Sequence, residues 1–295
     1  MEEYKLYTFV NNPFNYTASK DRLLFQLSQN MDYRKSCFVD LFCGSGVVGV
    51  NMSHSFDKVL LNDGCKQMVS LLSYMCNTST EQMLTEIKMY ISRFHLSKDN
   101  KEGFLTAREV YNNGKKKEML LYCLITHAFS YNVVFNSSGG FSVPSGAGRS
   151  YFNSSIKNKF KEFCEVMHAN KDHFVFSSEQ IKSDTKFNIC CSNFNDCMVY
   201  ADPPYLTSDG SCSRSYGLRW TKEHDKNLMN LLDTINENGG SFAMSNAFEN
   251  NGNVNEELKE WAEKYSVVHL SCDYTNCHHQ RKNLGSTDEV LIKNY

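Results

Sequence analysis

Three short stretches carry residue types whose spacing can do chemistry. The first, FVDLFCGSGVVG at 38–49, puts Gly44, Gly46 and Gly49 in GxGxxG spacing behind a β-branched and aromatic run. Glycine permits the tight turn from strand to helix and lets a ligand approach the backbone closely. Asp63 closes the next strand-like run about 20 residues further on, where an acid accepts hydrogen bonds from ribose hydroxyls. By itself this pattern fits a dinucleotide or an adenosyl-methionine equally. Asp40, just ahead of the turn, favours the second. A carboxylate there opposes a pyrophosphate but suits a ligand bearing an ammonium and a sulfonium.

The second stretch is YADPPYL at 200–206, again directly behind a strand-like run. Pro203 and Pro204 fix φ and remove two N–H donors, so the carbonyls there are left to point outward. Asp202 and the Pro203 carbonyl can then accept both hydrogens of an exocyclic amino group, while Tyr205 offers a face for a base to stack on. The third stretch, NYTASK at 15–20, precedes an amphipathic run over 21–27. Its Tyr16 can stack on an adenine and its Lys20 can hold a carboxylate.

These groups need a frame. Strand-like runs fall at 37–42, 58–61, 174–176, 198–201, 241–244, 267–271 and 289–292, with helical patterns between many of them. Leu228, Leu231, Leu232 and Ile235 share one helical face, with Thr221 placed to cap its start and Gly239-Gly240 to stop it. Such alternation predicts an α/β fold with a mostly parallel, doubly wound sheet. The alternation breaks between about 77 and 165. There the pattern is helical through 81–94 and 118–130, then glycine- and serine-rich over 136–148. We read an inserted, mainly helical subdomain closed by a hairpin or loop, 77–165, within a domain formed by 1–76 and 166–295.

Length and composition bound the alternatives. The chain has 295 residues, 41% hydrophobic and 22% charged, which suits a large globular protein. No run of 18 apolar residues and no basic-then-apolar opening occurs, so a soluble, cytoplasmic protein is expected. The 12 cysteines lie mostly in apolar stretches and are expected to be reduced, buried bystanders. Cys272, Cys277, His278 and His279 lack a second well-spaced ligand pair, so no metal is expected. A formal net charge of −2 rules out a uniformly basic nucleic-acid surface but leaves room for a local one. Basic residues do bunch, at Lys115, Lys116 and Lys117 and again from Arg149 through Lys157, Lys159 and Lys161.

Together the three motifs resemble the D12-class, Dam-like N6-adenine DNA methyltransferases, in the α-group order: aromatic and lysine first, then DxFxGxG, a target-recognition insert, and DPPY last. The segment 136–148 with its GGFSVP core, Ser245-Asn246, and TDEVLIKN at 287–294 extend the likeness almost end to end. The resemblance implies a Rossmann-like class I methyltransferase fold with a target-recognition insert. It implies S-adenosyl-L-methionine as methyl donor and a flipped-out adenine in duplex DNA as acceptor, with a restriction endonuclease as a possible partner. Tyr16, Lys20, Asp40, Phe42, Gly44, Gly46, Asp63 and Asp202 match the cofactor positions, and Asp202, Pro203, Pro204 and Tyr205 the catalytic tetrapeptide. Lys115, Lys116, Lys117, Asn136, Arg149 and Lys157 are the expected DNA contacts. Ala18 stands where many relatives have Gly, and the acid that relatives place near the adenine ring has no good match, Glu179 being a poor one. Rival readings are methylation of RNA adenine or cytosine N4, a protein-glutamine methyltransferase, a catalytically silent DNA-binding module, and a nicotinamide-dependent oxidoreductase, which would leave the Pro-Pro-Tyr turn unexplained.

Overall fold

Two strands show why a sheet forms at the centre. In β1 (Cys37–Asp40) and β4 (Cys197–Ala201) every residue is buried, which a strand achieves only when both faces of its sheet are covered. Successive side chains divide between those faces. Phe38, Met198 and Tyr200 join one hydrophobic cluster; Cys37, Val39, Cys197, Val199 and Ala201 join another. The computed structural model describes residues 8–15, 19–181, 193–206, 220–250, 253–270 and 288–295.

The sheet runs β3 (Phe174–Ser177), β2 (Lys58–Asn62), β1, β4, β5 (Ser241–Asn250), β8 (Asp288–Lys293), β7 (Ser266–His269), with the short β6 (Asn253–Val254) paired to β5. The first five strands are mutually parallel, and β8 is antiparallel to both its neighbours. Helices cover both faces. α8 (Lys222–Glu237) and α9 (Glu256–Ala262) pack on the cluster that contains Val39 and Val199. α1 (Leu24–Ser28), α2 (Val47–Met52) and α3 (Lys66–Asn77) pack on the other. This is the doubly wound, mostly parallel α/β arrangement that the alternation of patterns predicts.

Between α3 and β3 the chain makes α4 (Thr80–Phe94), α5 (Lys101–Asn113), α6 (Glu118–His127) and α7 (Ser154–Ala169). Side-chain oxygens of Ser79, Asn100 and Asn153 accept the orphan amides at the starts of α4, α5 and α7. From Met119 to His127 every residue of α6 is buried, so α6 is the axle around which α3, α4 and α5 pack. Its side chains belong to the same cluster as Phe38, so this segment shares its core with one face of the sheet. The glycine-rich stretch forms an irregular hairpin, with bridges Phe135↔Phe141 and Ala128↔Ser145.

Several boundaries differ from the sequence reading. β1 stops at Asp40 and not at Phe42, because Leu41 and Phe42 leave the ladder to enter the glycine turn, Leu41 N still donating to Tyr200 O at 2.9 Å. β5 continues to Asn250 because β8 and β6 pair along its extension. The helix expected over 118–130 ends at His127, where Ser130 and Tyr131 take positive φ of 52° and 55° and the chain pairs with the hairpin. Thr221 does precede α8, but its hydroxyl bonds the His224 ring and not a backbone amide. Gly239, with φ 75°, ends α8 as expected.

Candidate active site

Parallel register sets the site. Asp40 lies level with Leu61 on β2 and Tyr200 on β4, so the C-terminal ends of β1, β2 and β4 form one edge. The strand order reverses direction between β1 and β4, and the crevice outside that switch point is where open α/β sheets bind ligands. Asp40, Asp63 and Asp202 all sit at this edge. The antiparallel β8 begins there as well, and brings Glu289 opposite Ala247 of β5.

The glycine turn is built as its sequence requires. Gly44 and Gly46 have φ of 50° and 76°, the left-handed region that glycine enters without a Cβ clash. Asp63 holds this turn: its Oδ2 accepts from Gly44 N at 2.9 Å and its Oδ1 from Cys65 N at 2.7 Å. Burial pushes the Asp63 carboxyl up to about 6, against those two amides. Gly49 serves packing. It lies in α2, its amide donates to Asp40 Oδ2 at 3.2 Å, and a Cβ there would meet Leu61 Cδ2 at 2.3 Å. Phe42 sits edge-on to Trp220, ring centroids 5.3 Å apart, and Trp220 in turn donates to the buried Asp225.

Asp40 is the site's most unusual group. It is 1% exposed, and its Oδ1 is buried with no hydrogen-bond partner. Burial first, and the nearby Asp202 charge second, push its carboxyl well above the usual range. An unpartnered buried carboxylate oxygen is costly unless a ligand completes it. Here the completing group would be a hydrogen-bond donor and, beside two more acids, a cation.

At the DPPY turn the structure joins motifs distant in sequence. Lys20 Nζ lies 2.8 Å from Asp202 Oδ1, 3.4 Å from Glu289 Oε1 and 3.2 Å from the Tyr205 hydroxyl, and 5.2 Å above the Tyr205 ring. The Tyr205 hydroxyl reaches Asp202 Oδ1 at 3.3 Å and Glu289 Oε1 at 3.0 Å. Beneath them, Tyr200 and Ser245 hydroxyls bond at 2.9 Å, so Ser245 lies inside β5 and under the site. Burial raises the Asp202 carboxyl and the Lys20 ammonium opposes that shift. The two carboxylates in turn outweigh burial and keep Lys20 protonated. Glu289 has no place in the sequence reading of the site. Its one signal was the TDEVLIKN likeness, since a lone acid in an apolar strand says nothing of which end it joins.

The remaining expected residues are placed as follows. Tyr16 lies outside the described residues, as do Cys272, Cys277, His278 and His279. Pro203 is buried, and Pro204 and Tyr205 are half-buried. Cys43 and Cys65 are buried near the glycine turn, and burial raises both thiols, the second to about 12, so neither is a thiolate near neutral pH. Lys115 and Lys117 are exposed between α5 and α6, and Arg149 is exposed before α7, whose first turn holds Lys157. Lys116 Nζ instead donates to the Ser138 and Gly139 carbonyls, and Asn136 Oδ1 accepts from Ser138 and Gly140 amides. Both shape the hairpin tip. Glu179 is exposed just past β3, its backbone tied to Asn62, the residue before Asp63.

A mostly parallel sheet with acids and glycines at its carboxyl edge is an arrangement that suits a nucleotide-type ligand, and comparison narrows the class. Residues 16–276 match the D12 class N6 adenine-specific DNA methyltransferases, and the chain belongs to that family. It is 35% identical over 295 residues to the type II methyltransferase M.FokI of Planomicrobium okeanokoites, a match covering 99% of this chain and 44% of that protein. It is 30% identical over 292 residues to the modification methylase StsI of Streptococcus sanguinis, covering 97% and 43%. To the modification methylase LlaI of Lactococcus lactis subsp. lactis it is 26% identical over 286 residues, covering 96% and 43%. The chain thus spans less than half the length of these relatives.

Proposed function

We propose that the chain methylates N6 of adenine in duplex DNA at a specific short site, with S-adenosyl-L-methionine as methyl donor. One observation carries the reading: Asp40, with an orphaned buried oxygen, stands at the end of the strand beside the one that presents Asp202-Pro-Pro-Tyr205. The residues present fit that donor. Asp40 Oδ1 would take its ammonium, the Gly44–Gly46 turn would run against it, Phe42 would wall it, and Asp63 would accept from its ribose. The bound donor supplies an electrophilic methyl group.

Adenine N6 is a weak nucleophile because its lone pair is delocalised into the ring. Asp202 and the Pro203 carbonyl accept its two hydrogens, which draws that lone pair out of conjugation. The half-buried Tyr205 ring stacks on the base. Positioning of this kind can supply roughly 7–11 kcal/mol of barrier reduction. Extruding the base costs a few kcal/mol, of which stacking on Tyr205 returns about 1–3 kcal/mol. No covalent enzyme intermediate is required, in keeping with the buried, protonated thiols.

Residues 77–165 form the target-recognition subdomain in this reading, carried on 1–76 and 166–295. Exposed Lys115, Lys117 and Arg149, with Lys157, meet phosphates, while Lys116 and Asn136 hold the tip of the neighbouring hairpin. The names of the relatives favour a modification enzyme paired with a restriction endonuclease. The test is methyl transfer from tritium-labelled donor to duplex DNA by wild type, Asp202→Asn and Asp202→Ala. Wild type labels adenine N6, and both variants bind the donor yet lose transfer at least about a thousandfold. Robust methylation by Asp202→Ala would refute the assigned role.

A further inference from the structure

β8 carries Glu289 next to three residues, Val290, Leu291 and Ile292, that are fully buried, and Glu289 itself is 5% exposed. A carboxylate in such a strand is retained only where partners and a task offset its desolvation. Two of its partners are donors that also hold Asp202. Lys20 has three N–H groups, and they face Asp202, Glu289 and the Tyr205 oxygen. The Tyr205 hydroxyl has a single proton and two carboxylates to receive it, Glu289 at 3.0 Å and Asp202 at 3.3 Å. As the site stands, Lys20 and Tyr205 both engage Asp202 Oδ1, so a target amino hydrogen must share the carboxylate with them.

We infer that Glu289 is a positioning residue: it takes the Lys20 ammonium and the Tyr205 hydroxyl when the target base arrives, and so releases Asp202 to accept from the amino group. This rests on the adenine-N6 reading above. In this exchange Lys20 passes from one carboxylate to the other within the same site, and the released Asp202 carboxylate takes the amino hydrogen in its place. Anchoring the Tyr205 hydroxyl at Glu289 also fixes the ring face on which the base stacks.

The test compares Glu289→Gln, Lys20→Met and the double variant with wild type, in single-turnover methylation of duplex DNA at saturating donor. Donor affinity and thermal melting are measured in parallel. The isosteric glutamine keeps an acceptor for Tyr205 but no charge for Lys20, so the ammonium stays on Asp202. The expected result is a methylation rate at least about tenfold lower, with donor affinity within about threefold of wild type and melting unchanged. The double variant transfers no more slowly than Lys20→Met alone, because without the ammonium Asp202 needs no relief. A Glu289→Gln rate within twofold of wild type overturns the inference. So does a loss carried wholly by donor affinity or stability, or a double variant whose losses multiply. Wild-type protein that leaves adenine unmethylated removes the underlying reading instead, and this role with it.

Discussion

Replacing Asp40 by Asn sets function against stability, and the structure gives the sign of each. The folded-state carboxyl is raised well above 3.8 by burial and by Asp202, so the native state binds more protons than the unfolded chain across that interval. Stability therefore falls as pH rises from the unfolded-state value through the raised one, and the wild type carries the full penalty only above that raised value. Asn keeps an oxygen for the Gly49 amide and exchanges a buried charged orphan for a neutral one. The gain should be about 1–2 kcal/mol, a rise in Tm of roughly 2–4 °C per kcal/mol for a protein of this size. It should grow as pH rises through the raised range of the Asp40 carboxyl and be absent below pH 4, where both side chains are neutral. Donor binding should move the other way. A charge-assisted hydrogen bond is worth about 1.5–3 kcal/mol, so affinity for S-adenosyl-L-methionine or its demethylated product should fall by roughly ten- to hundredfold. Melting curves across pH, with calorimetric titration of the ligand, measure both. An Asp40→Asn protein that binds the ligand as tightly as wild type, or melts lower at pH 8, would show that this oxygen does not await a cation.

Three further outcomes follow from the site. The Asp63 carboxyl, held at about 6, should make donor affinity weaken as pH drops from 7 to 5 while it loses its charge, and Asp63→Asn should bind more weakly and flatten that dependence. Gly46→Ala places a side chain at φ 76° with its Cβ 3.1 Å from Leu72; strain of about 1–2 kcal/mol should lower Tm by several degrees and weaken donor binding, read by melting and titration. Neutralising Lys115, Lys117 and Arg149 together should weaken binding of any duplex and flatten the salt dependence of affinity by about 0.9 for each phosphate no longer neutralised, whereas an unchanged slope would put the DNA face elsewhere.

Much of this was legible in the chain, because the motifs are local devices. A glycine turn after a strand, a carboxylate before it, an acid closing the next strand and a Pro-Pro terminator each depend on a few adjacent dihedrals and side chains, so Asp40, Gly44, Gly46, Asp63 and Asp202 could be read from type and spacing. The alternation of strand and helix likewise foretold a parallel sheet, whose carboxyl ends must share an edge. Partnership across that edge was not local. Whether Gly49 meets a ligand or Leu61, whether Lys116 faces phosphate or the Gly139 carbonyl, and whether Glu289 joins Lys20 and Tyr205 depended on register and on which helix packs against which face. β8 reaches the site because it runs antiparallel to its neighbours and so starts where they end. That direction is set by pairing energies summed over the whole sheet, which no short window of residues contains.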